Sequence, residues 1–158
     1  MTNHIDSIKN SGHQFYFIAT GGGTKAISDI LSSGGASACF LGAQVPYSRK
    51  AICQLLGEKP DKYVTPEVSI AYAKKAVQLA AELSAKHIVG VGVTARLGYP
   101  TQRDGRSNEI YVTIAHSDTM QTITFYREFS HNISREAQEV LSAVFVINSI
   151  LRTLNTEG

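Results

Sequence analysis

Charge is scarce in this sequence. Asp, Glu, Lys and Arg make up 18% of the 158 residues and nearly cancel, leaving a formal net charge of +2. That balance excludes the electrostatic footprint of a nucleic-acid or membrane-surface binder. The basic residues are scattered, with no run longer than Arg49-Lys50 or Lys74-Lys75. Tryptophan is absent and only two cysteines occur. Cys39 falls in an expected strand and Cys53 in an expected helix, so both read as small core residues of a reducing compartment. The five histidines, His4, His13, His87, His116 and His131, are dispersed. With no ligand spacing among Cys and His, neither a metal site nor a cofactor is expected. No apolar run is read as long enough to span a bilayer, and Met1 to Asp6 lacks a basic-then-apolar leader pattern. The expectation is a soluble, cytoplasmic protein of one domain, residues 1–158, with 1–12 as an N-terminal arm or short helix.

What the chain does contain is a strand that stops abruptly at three glycines. Phe15-Tyr16-Phe17-Ile18-Ala19-Thr20 is aromatic and apolar, Gly21-Gly22-Gly23 follows, and Thr24 to Leu31 resumes with helical spacing. A strand, tight Gly turn and helix aim backbone N–H groups at an anion. A plain strand-to-helix connection favours Gly equally, and both readings stay open at this point. The pattern is neither a Walker A loop nor a G-x-G-x-x-G fingerprint.

The remaining chain alternates strands and helices. The first strand is expected over about 14–19 and its helix over 24–33, ended by Gly34-Gly35. A second strand is expected over 36–44, bounded by Pro46. Ser48 is read as the N-cap of a helix ending at Gly57, and Thr65-Pro66-Glu67 as the start of a long helix. Ile70, Ala73, Val77, Ala80 and Leu83 are its expected apolar face. His87 to Val93 reads as a buried strand whose Gly90 and Gly92 mark close approach of another element. Residues 94–108 read as a polar loop, 109–115 and 120–129 as a hairpin, and 134 onward as a last helix carrying Val140, Val144, Ile147, Ile150, Leu151 and Leu154. This predicts an α/β fold: a three-layer α/β/α sandwich with a mixed sheet. Ligands in such sheets sit beyond the carboxyl ends of strands, where the triple-Gly turn falls.

With these elements in order, the chain resembles the CinA C-terminal domain family. Its blocks are a first strand ending Glu-Ser-Cys-Thr-Gly-Gly, then Pro-Gly-Ser-Ser, then Phe-Leu-Gly-Gly-Val-Val-Ala-Tyr-Ser and a Lys five residues after the Tyr. Here Gly34-Gly35-Ala36-Ser37, Phe40-Leu41-Gly42-Ala43-Gln44-Val45-Pro46-Tyr47-Ser48, Leu55-Leu56-Gly57 and Val64-Thr65-Pro66-Glu67-Val68 stand at the corresponding places. Gly90-Val91-Gly92-Val93-Thr94 is similar to the strand leading into the family's second Gly-rich loop. The resemblance runs from about residue 14 to the C-terminus. It implies a CinA-like fold, self-association, and in bacteria a nicotinamide mononucleotide amidohydrolase.

The departures fall on the chemistry. An ungapped register puts Thr20 at the family's catalytic Ser and Ile52 at its Lys. Gly92 to Tyr99 replaces Thr-Gly-Ile-Ala-Gly-Pro-Gly-Gly and brings Arg96, with Arg103 and Arg106 beyond it. Arg135-Glu136 resembles the Arg-Glu opening the family's last helix, while Glu139 stands at a later Arg. Thr20 therefore admits two readings: a nucleophile lacking an evident base, or a helix cap or phosphate-contacting hydroxyl. Lys50 serves as a base only if its helix is rotated, and an arginine is a poor proton acceptor. The candidate ligand-binding residues are Gly21, Gly22, Gly23, Thr24, Tyr47, Ser48, Arg49, Arg96 and Arg106. Tyr47 suits stacking and the arginines suit phosphate or carboxylate. Asp104 reads as a turn former, Lys25 as a surface residue, and His116 and His131 are given no role. Three functions follow: a CinA-like domain binding a nucleotide or other phosphorylated small molecule, an amidohydrolase using Thr20, or a structural module. None calls for nucleic acid or membrane.

Overall fold

The computed structural model describes residues 2–84, 86–98 and 107–155. The N-terminal arm is helix α1 (Thr2–Lys9), followed by strand β1 (Gln14–Thr20) and helix α2 (Thr24–Ser32). One 3-10 turn (Ala36–Ala38) leads into β2 (Phe40–Gln44), α3 (Arg49–Leu56) and α4 (Pro66–Ala81). Then come β3 (Ile88–Arg96), β4 (Asn108–His116), β5 (Thr122–Phe129) and α5 (Arg135–Asn155). The sheet order is β2-β1-β3-β4-β5. β1 pairs parallel with β2 and β3, and β4 pairs antiparallel with β3 and β5.

Side chains alternate across this mixed sheet and split the core into two layers. Phe15, Phe17 and Ala19 join Ile8 of α1, Ile27 and Ile30 of α2, and Val146, Ile147 and Ile150 of α5. On the other face Tyr16 and Ile18 join Ile52 of α3 and Val68, Tyr72, Ala76 and Ala80 of α4. The expected three-layer α/β/α architecture is the one observed.

Local chemistry sets several boundaries. Ser48 Oγ accepts from Ala51 N–H at 3.1 Å and Thr65 Oγ1 from Val68 N–H at 3.1 Å, capping α3 and α4. Such caps are each worth about 1 kcal/mol. Gly57 closes α3 in the left-handed conformation at φ +76°.

Five expectations are corrected. The second strand begins at Phe40, because Gly34 and Gly35 both turn left-handed and Ala36–Ala38 winds into the 3-10 turn. β3 does not stop at Val93: antiparallel pairing carries it through Thr94↔Tyr111, Ala95↔Ile110 and Arg96↔Glu109. Of the polar loop expected over 94–108, residues 94–96 and 108 are strand, and 99–106 lie outside the described residues.

Of the expected α4 face, Ala73 and Ala80 are buried and Val77 packs on the core, but the buried face also takes in Val68, Ser69, Tyr72 and Ala76, and Leu83 is 60% exposed. Small residues win because α4 lies directly on the two β3 glycines. A methyl group on Gly90 would strike the Ala73 carbonyl, and one on Gly92 the Ser69 carbonyl. Those glycines do mark close approach, and the approaching element is the α4 backbone.

α5 is long and apolar enough to cross a membrane by length and composition alone, contrary to the reading of the sequence. Here its buried side, including Ala143, Val146, Ile147 and Ile150, joins the first core layer, whereas Val140 faces outward. The two histidines left without a role both have partners. His116 Nε2 lies 2.9 Å from Thr153 Oγ1, and Asn108 Nδ2 lies 3.1 Å from His131 Nδ1.

Candidate functional site

The carboxyl ends of β1 and β3 and the start of β4 converge on a cleft of about 1240 Å³. Thr20 and Gly21 come from the end of β1, and Ala95, Arg96, Leu97 and Gly98 from the end of β3. Tyr47, Arg49 and Ile52 enter from the start of α3, Lys59 and Asp61 to Thr65 from the connection to α4, Glu109 and Tyr111 from β4, and Arg135 from α5. The site therefore lies where the strand ends of an open α/β sheet ordinarily leave a crevice.

Thr20 is the last residue of β1 and is 9% exposed. Its Oγ1 donates to the Pro46 carbonyl at 2.6 Å and lies 2.9 Å from the Tyr72 hydroxyl. With its one hydrogen given to Pro46, Thr20 accepts the phenolic hydrogen of Tyr72. Burial raises the Tyr72 pKa, opposed by the Thr20 hydrogen bond, so the phenol stays protonated. Thr20 caps no helix. Gly23, at φ +87°, occupies the N-cap of α2, with no side-chain cap bond.

The three turn glycines divide. Gly21 reaches the cleft, whereas Gly22 and Gly23 are buried behind it. A methyl group on Gly21 would strike the Ala95 carbonyl; on Gly22 it would crowd Leu97 at 2.8 Å, and on Gly23 Val93 at 2.9 Å. Gly21 and Gly23 also hold positive φ. The turn is glycine because it packs tightly on the end of β3. Thr24 is exposed and lies outside the cleft lining.

Of the other sequence candidates, Tyr47, Arg49 and Arg96 line the cleft. Ser48 is occupied as the cap of α3. Arg106, with Arg103 and Asp104, lies outside the described residues. Lys50 is exposed and is absent from the lining, while Ile52 is buried against α4. Lys25 pairs with Asp29 at 2.8 Å on the outside of α2.

Among the described residues, five cationic side chains line the cleft, Arg49, Lys59, Lys62, Arg96 and Arg135, against Asp61 and Glu109. Their surroundings differ. Arg96 Nη1 lies 3.5 Å from Glu109 Oε2 and 3.4 Å from the Ser107 carbonyl. Arg135 donates to the Leu97 carbonyl at 3.0 Å and to Glu139 at 3.4 Å. Arg49 holds its guanidinium 5.5 Å from the centre of the Tyr63 ring. Tyr63 is fixed in turn: Thr94 Oγ1 donates to its carbonyl at 2.7 Å, and its hydroxyl is 3.8 Å from Cys53 Sγ. Burial, followed by Glu109, raises the pKa of Tyr111 on the opposite wall.

Lys59, Lys62, Tyr63, Tyr72, Glu109, Tyr111 and Arg135 were not singled out as site residues from sequence. Six of them line the cleft and Tyr72 stands directly behind Thr20. Among the described residues no cluster of three or more His, Cys, Asp or Glu could hold a metal ion.

No family model and no curated protein matches the sequence. Solved structures do match the fold. A CinA-superfamily protein from Escherichia coli superposes with a TM-score of 0.79 at 14% identity, over 96% of this chain and 87% of that one. One from Klebsiella pneumoniae gives 0.76 at 14%, over 98% and 96%. One from Enterobacter cloacae gives 0.75 at 15%, over 97% and 89%. The chain therefore has the fold of the competence-damaged protein (CinA) superfamily over nearly its whole length, at a divergent sequence identity.

Proposed function

We propose that this cleft binds a small phosphorylated or nucleotide-type ligand and does not hydrolyse an amide. The carrying observation is the Thr20 hydroxyl, committed to Pro46 and Tyr72 in a cleft whose cations outnumber its anions. Nucleophilic attack requires a group that takes the hydroxyl proton. A peptide carbonyl does not accept a proton at neutral pH, and the Tyr72 phenol is already a donor. Arg49 and Arg96 stay protonated throughout. Ile52, at the place the resemblance gives to the family's Lys, has no group that can accept or donate a proton. Binding, by contrast, needs only what the cleft has: guanidinium and ammonium groups for an anion, and the Tyr47, Tyr63 and Tyr111 rings for a planar or apolar body.

The test is thermal unfolding with a series of nucleoside monophosphates, each against its unphosphorylated nucleoside. A ligand at a hundred times its Kd stabilises the native state by about 2.7 kcal/mol. The expected result is a concentration-dependent rise in Tm for at least one phosphorylated compound. No rise across the series would favour the structural-module reading.

A further inference from the structure

We propose that the ligand's anionic group seats on the α3–α4 wall, at Arg49, Lys59 and Lys62, and not on the Gly21–Gly23 turn. The inference deepens the ligand-binding reading and rests on it. A Gly-rich turn before a helix is the usual place to look for a phosphate. Here two of its three glycines are covered by Ala95, Leu97 and Val93, and only Gly21 faces the cleft. One exposed residue does not make the concave set of N–H donors that such turns use.

The cleft charge is also unevenly distributed. On the β3–β4–α5 side, Arg96 is within ion-pair distance of Glu109, and Arg135 of Glu139. Among the described residues, Arg49, Lys59 and Lys62 have no carboxylate within ion-pair distance, and Asp61 is the only acidic lining residue on their segment. Among the described residues, the unpaired positive charge therefore concentrates on the α3–α4 wall.

Arg49 is also pre-oriented. A cation–π contact with the Tyr63 ring, 5.5 Å from its centre, holds the guanidinium at the cleft wall. Tyr63 is anchored through its carbonyl to Thr94 of the sheet, so the stack rests on a rigid element. The opposite wall presents the Glu109 carboxylate and the Tyr111 phenol. With Glu109 engaged by Arg96, this wall offers a phenol and a paired carboxylate to the polar body of the ligand. The ligand is thus oriented by charge, with its anion toward Lys59 and Lys62 and its body toward Tyr111.

The test is titration with inorganic phosphate and with adenosine monophosphate, followed by amide chemical shifts and calorimetry. It uses wild type, the Lys59→Gln/Lys62→Gln double variant, Arg49→Gln and Thr24→Val. The lysines are exposed, so the double variant is expected to fold, and its amide spectrum checks this. The expected result is a tenfold or greater loss of affinity in the double variant and in Arg49→Gln, with less than a twofold change in Thr24→Val. Shifts in wild type should centre on residues 49 and 59–63. Wild-type binding that persists in the double variant, with shifts centred on 21–24, overturns the inference but leaves the cleft reading intact. Absence of binding to both probes in wild type overturns the cleft reading, and this inference with it.

Discussion

Thr20 Oγ1 and the Tyr72 hydroxyl lie 2.9 Å apart, joining the end of β1 to the middle of α4 beneath the cleft. Because Thr20 also donates to Pro46, one hydroxyl ties three segments together. A buried hydroxyl so used is a structural fastener, and each removal from the trio has a measurable cost.

Thr20→Val leaves the Pro46 carbonyl and the Tyr72 phenol without their partner. An orphaned buried group costs about 1–3 kcal/mol, so urea unfolding should show a loss in that range. Thr20→Ser keeps the hydroxyl and should lose less. Equal stability of Thr20→Val and wild type would contradict the fastener role.

The β3 glycines predict a graded pair of substitutions. Gly92→Ala drives a methyl group into the α4 backbone and should cost about 3 kcal/mol, the upper end of ordinary overpacking. Gly57→Ala meets no atom within 4 Å but must hold φ +76°, a strain of about 1–2 kcal/mol. Denaturant midpoints that ranked Gly57→Ala as the worse change would refute the packing argument.

Alkaline pH should weaken the fold. Tyr72, Tyr111 and Tyr126 all have raised pKa values, with burial as the first cause in each. Above about pH 10 the unfolded chain loses these phenolic protons while the native state keeps them. The unfolded state then binds fewer protons, so unfolding free energy falls as pH rises. Below that range these groups contribute no pH dependence. Tm measured from pH 8 to 11.5 should drop steeply near the top, and less steeply in Tyr72→Phe. Parallel slopes for the two proteins would remove Tyr72 from the effect.

Gln138 makes a fourth case. Its Oε1 accepts from Gly98 N–H at 2.9 Å and its Nε2 donates to the Ile133 carbonyl at 2.9 Å, which holds the exit of β3 against α5. Gln138→Leu should destabilise by about 1–3 kcal/mol and speed hydrogen exchange at Gly98. Unchanged exchange there would show that Gln138 does not secure the cleft rim.

These cases also show where sequence reading reached its limit. β1, its glycine turn and α2 were legible because strand propensity, Gly and helical spacing are local. The Ser48 and Thr65 caps were legible for the same reason, since a cap is set by residues three apart. The extent of β3 was hidden, because Thr94 to Arg96 are strand through pairing with β4, and Thr94 also through Thr20 of β1. The face of α4 was read in part: Ala73 and Ala80 are buried as expected, but the apolar spacing gave no sign that Gly90 and Gly92 bring Ser69 inward, nor that Leu83 stays exposed. Tyr72 looked like one more residue of a long helix until the fold set it against Thr20. Glu109, Tyr111 and Arg135 join Arg96 across the cleft only through sheet order and the placing of α5.

The most direct measurement is incubation of the protein with nicotinamide mononucleotide, recording ligand binding and ammonia release together. Binding with no ammonia above the protein-free rate is the expected result, in wild type and in Thr20→Ser alike. Ammonia release by wild type that disappears in Thr20→Val, with the fold intact, would make Thr20 a nucleophile and contradict the proposed function.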